Sequence, residues 1–297
     1  MPIKEELKHK IIDGKIISGL LVEKVSAAIF ELTKKDIKPT LAVVLIGDHP
    51  ASQVYVRNKK IMCEKVGIQS VEYKFGVDIK ESELLSLIDS LNRDKGVNGI
   101  LVQFPIPPHI SKQKTINAIS PEKDVDGLHP INAGKLMNNI ECLTPCTPQG
   151  SMIMINSIAE DTSGMNAVVL GRSNLVGKPM SQLLTNANCT VTQVHSKTRD
   201  IQSFTSQADI LVAAIGIPNF VKSDWVKKDA IVIDVGINRV ESDQNATAKT
   251  KLVGDVDFKD VFDKVSAITP VPGGVGLMTV ACLMNNTLIA TKAQHSL

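Results

Sequence analysis

Tyr55 and Lys59, four positions apart in YVRNK, are by type and spacing the pair in this chain best suited to chemistry. The chain holds only two tyrosines, so one set beside a lysine stands out. Four positions on a helix is one turn, which puts the phenol and the amine on one face. Such a pair can work as acid and base, or it can decorate a surface. Tyr55, Lys59, Met62 and Val66 follow at steps of four, three and four, with Val54 and Ile61 flanking them. The pattern predicts one apolar stripe that carries Lys59, while Arg57 and Lys60 point to water. Desolvation there disfavours the ammonium and makes a neutral amine, hence a base, accessible near neutral pH. The competing reading is a lysine whose stem lies on the core and whose amine reaches solvent.

Further segments offer partners. VQFPIPP sets Gln103 at the end of an apolar strand, before prolines that stop the strand. In an open α/β sheet, the carboxyl ends of strands face the ligand crevice. KDVDG puts Asp124 and Asp126 in a loop with a glycine. A strand-end cap and two turn-forming aspartates are the plainer alternatives. TPVPGGVGLMT brings glycines together ahead of a terminal helix, which suits a backbone that approaches a ligand closely or a simple flexible turn.

The second half of the chain points to a dinucleotide. NAVVLG runs into GRSNLVGKP and then a helix, the place where a pyrophosphate meets a helix N-terminus. The GxGxxG match is imperfect. Gly171 fits, Ser173 and Val176 occupy the next two glycine places, and Gly177 comes one late. After the next strand, TVTQVH, come Ser196, Lys197, Thr198 and Arg199, with no carboxylate before Asp200. An acid there would accept ribose hydroxyls, whereas hydroxyls and cations, with Arg172 in the first turn, suit a 2′-phosphate. NADP is favoured over NAD.

These residues need a frame, and the chain supplies one. Helical and strand patterns alternate: GKIISGLLVEKVSAAIFELTKK, TLAVVLIG, ASQVYVRNKKIMCEKVG, QSVEYKF, ESELLSLIDSLNRD and GILVQF. Strands that are apolar throughout indicate a parallel sheet covered on both faces. From Phe104 to Gly150 the pattern loosens into loops around a short helix. Alternation resumes with NAVVLG, TVTQVH, ADILVAAIG, AIVIDVG and KLVGDVDF, and a long apolar helix closes the chain. Two α/β domains with mainly parallel sheets are expected: residues 1–147, completed by helix 277–297, and a Rossmann-type domain over 148–276.

Composition bounds the alternatives. The 297 residues are 43% hydrophobic and 22% charged, and the net charge of +2 is spread along the chain. That argues against nucleic acid as the main partner. No apolar run approaches the ~20 residues of a membrane span, and MPIKEELKHKIIDGK lacks the apolar core of a signal peptide. Five cysteines without a CxxC pair read as reduced cytosolic thiols. Cys142 and Cys146 have no histidine at ligand spacing, so no metal is expected.

Together, PASQVYVRNK, VQFPIP, PEKDVDGLHPINAGKL, PCTPQG, GRSNLVGKP, HSKT and ITPVPGGVGLMT, in this order, resemble the bifunctional methylenetetrahydrofolate dehydrogenase/methenyltetrahydrofolate cyclohydrolase family over nearly the whole chain. The resemblance implies an active site in a cleft between the domains. There NADP would oxidise 5,10-methylenetetrahydrofolate to the 5,10-methenyl cation, and water would open the cation to 10-formyltetrahydrofolate. It implies that Lys59 is the catalytic lysine, that Gln103 interacts with it, and that Tyr55 packs by the pterin. Asp126 would bind the pterin ring, with Ser52, Pro272, Gly273 and Gly274 also on the substrate side. Gly171, Arg172, Ser173, Val176, Gly177, Ser196, Gly216 and Ile237 would hold the cofactor. A cytoplasmic homodimer acting on tetrahydrofolate derivatives is implied as well.

Three positions depart from the family pattern: Leu277 for a common proline, Phe104 for leucine, and His49 where Asp or Asn is common. None carries a chemical role. A monofunctional dehydrogenase is the alternative within the family. YxxxK also marks short-chain dehydrogenases, but there the pair follows the Gly-rich turn, whereas Tyr55 precedes Gly171 by 116 residues.

Overall fold

The structure is a computed structural model that describes residues 10–241 and 250–297. The chain forms two compact units, Gly19–Cys146 with Val280–Leu297, and Thr147–Thr279 with residues 10–18. Each is an α/β unit on a mainly parallel sheet. Residues 10–18 group with the later unit through their backbone. Ile12 N–H donates to Ile268 O at 2.9 Å, and Gly14 N–H to Gly273 O at 3.0 Å.

Helix α1 (Gly14–Thr33) starts beside Asp13, whose Oδ1 accepts from Lys15 and Ile16 N–H at 2.7 and 3.2 Å. These are donors that a helix start leaves without partners. Then follow β1 (Thr40–Ile46), α2 (Pro50–Val66), β2 (Gln69–Phe75), α3 (Glu81–Arg93) and β3 (Gly99–Val102). The strands pair in the order β2-β1-β3, all parallel. Central β1 is buried at every position, which is why TLAVVLI reads as one apolar run. On one face, Ala42, Val44, Ile100 and Val102 form a core with Leu84, Ile88 and Leu91 of α3. A fully buried aliphatic side chain contributes about 1.5–3 kcal/mol, so this layer holds the strand ends in place.

The loose stretch after Phe104 holds more helix than its sequence suggests: α4 (Lys112–Ala118), α5 (Pro130–Met137) and the start of α6 (Cys146–Asn156). The first two are started by side-chain caps. Ser111 Oγ accepts from Lys114 N–H, and His129 Nδ1 accepts from Ile131 N–H. Helices this short never complete the roughly 11-residue window in which an apolar period shows.

The second unit contains β4 (Asn166–Leu170), α7 (Gly177–Asn186), β5 (Thr190–Val194), α8 (Ile201–Thr205), β6 (Ile210–Ala213), β7 (Ile231–Asp234), β8 (Asn238–Glu241), β9 (Thr250–Val253), α9 (Phe258–Val261) and β10 (Ala267–Ile268). The main sheet runs β10-β7-β6-β4-β5. KLVGDVDF is expected as one strand of this sheet, and here the structure differs. Only its first residues lie in β9, which pairs antiparallel with β8, and Gly254 onward turns towards α9. The strand that completes the sheet is β10, whose two residues are too few to show a period. Helix α10 (Val275–Gln294) closes the fold. Because β5 and β6 flank β4 on opposite sides, chain direction switches there, and such a switch opens a crevice at the carboxyl ends of the strands.

Candidate active site

Lys59 is 8% exposed, yet the stripe that buries it is not the expected one. The buried face of α2 carries Ser52, Val56, Lys59, Cys63 and Val66. Tyr55 stands 39% exposed at its margin, and Val54 and Ile61 face outward. Lys59 and Val66 belong to both patterns, so spacing alone could not tell one from the other. The consequence is useful: Tyr55 has a free face, and Lys59 has almost none.

Lys59 Nζ donates to Gln103 Oε1 at 2.9 Å. Gln103 follows β3 directly, and its N–H donates to Val44 O at 2.8 Å, which fixes it to the end of β1. Its Nε2 donates to Phe104 O at 2.7 Å, so the amide can turn only its oxygen to the lysine. Burial holds Lys59 below the usual lysine value of 10.5, against the opposing pull of Asp126. The result is an amine that loses its proton more readily than a surface lysine does. Lys112 Nζ lies 4.8 Å from the Phe104 ring centroid, a cation–π contact at one of the unusual positions.

The two loop aspartates have different roles. Asp124 Oδ2 accepts from His129 N–H at 2.7 Å and from Asn132 Nδ2 at 3.0 Å, so it anchors the start of α5. Burial pushes its carboxyl up to about 6. Asp126 is half-buried and raised by burial, while the charge of Lys59 holds it down. Its loop is pinned. Val125 O accepts from Asn286 Nδ2 at 2.9 Å and from Cys146 Sγ at 3.4 Å. Gly127, at φ 71°, leaves no room for a Cβ against the Thr144–Pro145 backbone. Cys146 is one residue that motif reasoning missed. Burial drives its thiol well above the usual value, and Asp126 adds to this, so it stays a neutral donor.

In the second unit, the turn after β4 folds tightly on itself. A Cβ at Gly171 would overlap Ala214 O, and one at Gly177 would overlap Gly171 O. Ser173 Oγ accepts from Val176 N–H at 3.1 Å and Gly177 N–H at 3.4 Å. The first helix donors therefore end on a hydroxyl whose own proton is free to meet a phosphate. Arg172, Ser173 and Ser196 are exposed along this edge. His195 Nδ1 accepts from Lys197 N–H, and Asp200 caps α8 through Ser203 N–H. The first carboxylate after β5 is thus engaged in a helix start.

Gly216 and Ile237 are exposed beyond the ends of β6 and β7, and Gly276 lies 3.4 Å from Ile237 Cδ1 by its projected Cβ. Gly273, at φ 105°, accepts Gly14 N–H, and Gly274 is buried against Pro270 O, so the PVPGGVG turn is held from both sides. Pro272 at its tip is exposed. Beneath Gly216 and Ile237 lie two buried carboxylates that sequence reasoning passed over, Asp234 and Asp255. The only signal for them was a nearby glycine, two positions after Asp234 in DVG and directly before Asp255 in GD.

Comparison with known proteins supplies the family context. Residues 12–126 match the family model described as Tetrahydrofolate dehydrogenase/cyclohydrolase, catalytic domain, and residues 145–295 match the NAD(P)-binding domain of the same family. The chain is 53% identical over 289 residues to the bifunctional protein FolD of Parvibaculum lavamentivorans, covering 97% of each. It is similar to the crystal structure of the bifunctional FolD methylenetetrahydrofolate dehydrogenase/cyclohydrolase from Campylobacter jejuni, with a TM-score of 0.91 and 47% identity over 95% of this chain and 98% of that one. The Trypanosoma brucei dehydrogenase-cyclohydrolase, complexed with NADP cofactor and inhibitor, gives a TM-score of 0.91 and 34% identity over 97% and 98%.

Proposed function

The chain belongs to the tetrahydrofolate dehydrogenase/cyclohydrolase family, and from that membership we infer how its residues divide the work. It is an NADP-dependent bifunctional enzyme of one-carbon folate metabolism. It oxidises 5,10-methylenetetrahydrofolate to the 5,10-methenyl form and hydrolyses that to 10-formyltetrahydrofolate.

The observation that carries the residue assignments is the 2.9 Å bond from buried Lys59 to Gln103. The methenyl carbon is already cationic, so a neutral amine is a better neighbour for it than a second positive charge. Lys59 takes the proton of the attacking water, and Gln103 holds the amine by one N–H, which confines its lone pair to the two remaining positions on nitrogen. Asp126 accepts from the pterin ring. Tyr55 lays its exposed ring beside the pterin, with Ser52 on the same helix and Pro272, Gly273 and Gly274 on the substrate side.

The residues present fit NADP. Gly171 and Gly177 let the turn after β4 pack on its own backbone, and Val176 stands at the N-cap of α7, where the pyrophosphate would meet the helix N-terminus. Arg172, Ser173 and Ser196 offer a cation and two hydroxyls for the 2′-phosphate, while Gly216 and Ile237 border the nicotinamide side. Bound there, NADP⁺ supplies the hydride acceptor. The protein's contribution to that step is orientation.

We also read the protein as a cytoplasmic homodimer with no nucleic-acid or membrane partner. The low net charge of +2 argues against a nucleic-acid partner, and no helix of the described residues is long and apolar enough to cross a membrane. The homodimer and its location follow from the family resemblance alone. The test is an absorbance assay with 5,10-methylenetetrahydrofolate and NADP⁺ that follows nicotinamide reduction and the methenyl band together. Reduction with little methenyl build-up is expected. Methenyl accumulating to its spontaneous hydrolysis level would reduce the enzyme to a dehydrogenase.

A further inference from the structure

The buried aspartates of the second unit form an interlocked pair. Asp234 ends β7, and Asp255 follows β9. Asp234 accepts three backbone N–H groups: Gly236 at 3.0 Å, Asp255 at 2.9 Å and Val256 at 2.9 Å. Asp255 Oδ2 accepts from Ile215 N–H at 2.7 Å and Gly216 N–H at 2.9 Å, and its Oδ1 accepts from Asn238 Nδ2 at 2.9 Å. Each carboxylate also packs on the other's glycine. A Cβ at Gly254 would overlap the Asp234 carboxylate, and one at Gly236 would overlap that of Asp255.

Structure alone explains Asp234, since all its partners belong to the two segments it joins. Asp255 reaches further. Its three bonds end on the turn after β6 and on the first residue of β8, so Gly216 is held directly and Ile237 through its neighbour Asn238. Six hydrogen bonds into two fully enclosed carboxylates make a rigid polar unit of a kind that costs stability unless every partner is present.

We propose that Asp255 is a positioning residue for NADP, its carboxylate bracketing the Ile215–Gly216 turn and Asn238 so that Gly216 and Ile237 stand at fixed places on the cofactor edge. This rests on the assignment of Gly216 and Ile237 to that edge. The bracket also accounts for a hydrogen-bond polarity that can be exchanged. An asparagine at 255 cannot accept on both sides, but with an aspartate at 238 its oxygen would still take the turn and its amide would donate to the new carboxylate.

The experiment measures NADPH binding by nicotinamide fluorescence, with hydrolysis of preformed methenyltetrahydrofolate, which takes no cofactor, as the parallel reading. Asp255→Asn should raise the NADPH Kd by roughly 10-fold or more, the scale of a lost bond to a charged group. Asp255→Asn with Asn238→Asp should return it to within about threefold of the parent, at unchanged net charge. Hydrolysis should stay within about twofold in both, because no bond of Asp255 reaches the Lys59 group. Wild-type NADPH affinity in Asp255→Asn would overturn the proposal, as would a double variant that recovers nothing. A parallel loss of both activities would make Asp255 merely structural. Should Asp255→Asn not fold, Asn238→Ala decides: a severalfold weaker Kd supports the bracket, and an unchanged one rejects it. Wild-type protein that hydrolyses the methenyl substrate but binds no NADPH would instead overturn the cofactor reading, and the proposal with it.

Discussion

Lys59 Nζ and Gln103 Oε1 meet at 2.9 Å although 44 positions separate them in the chain. One comes from the buried face of α2 and the other from the end of β3, so the bond exists only when the sheet and the helix are packed. Because Phe104 O occupies the other end of the amide, Gln103 presents an acceptor and no charge. That is a means of orienting a lysine without forcing it to stay protonated.

Replacing that neutral acceptor with a carboxylate reverses the effect. Gln103→Glu should stabilise the ammonium and raise the Lys59 pKa. The methenyl hydrolysis rate should fall by roughly 10-fold or more near neutral pH and recover as the pH is raised. A pH–rate profile of the variant beside wild type checks this. An unmoved profile would mean that Gln103 does not tune Lys59.

Asp126→Asn should move the profile the opposite way. Asp126 raises the Lys59 pKa, whereas burial, the larger effect, lowers it. Without the carboxylate the lysine titrates at a lower pH, so the base-dependent limb shifts towards acid. KM for folate should rise at the same time if Asp126 also accepts from the pterin, as proposed. A rise in KM with no displacement of the limb would separate Asp126 from the lysine.

Arg172→Ala should weaken NADP⁺ by about 10-fold while changing NAD⁺ use little, because a charge-assisted bond to phosphate is lost only where a 2′-phosphate exists. Steady-state KM values for the two cofactors measure the ratio. Equal losses for both would place Arg172 elsewhere than at the 2′ position.

His49 sits at the N-cap of α2, at φ −61° and ψ 121°, and its side chain makes no cap bond. His49→Asp should therefore stabilise the fold by about 0.5–1 kcal/mol, adding a cap acceptor and a negative charge at a helix start. Chemical denaturation reads the difference. No gain would mean that the first turn of α2 finds its partners elsewhere.

Much of this was legible in the sequence, and the failures have physical causes. Continuous apolar strands such as TLAVVLI announced a covered parallel sheet, and Gly171 marked the tight turn after β4. The pattern placed Lys59 on the inner face but chose Tyr55 and Met62 as its neighbours instead of Val56 and Cys63. Two stripes that cross at Lys59 and Val66 differ only in rotation about the helix axis, and the packing partner sets that rotation. Asp234 and Asp255 carry no periodic signal at all, because their partners are backbone N–H groups brought in from remote turns. Short helices set by caps, such as α4, escaped for a similar reason.

The central claim is that Lys59 performs the hydrolytic step. Its most direct test is the rate at which Lys59→Met opens preformed methenyltetrahydrofolate, followed at the methenyl band beside wild type. Methionine keeps most of the buried volume and removes the base. The account predicts a loss of about 10²–10⁴-fold, down towards the spontaneous rate, with NADPH binding retained. Hydrolysis by Lys59→Met at the wild-type rate would contradict it.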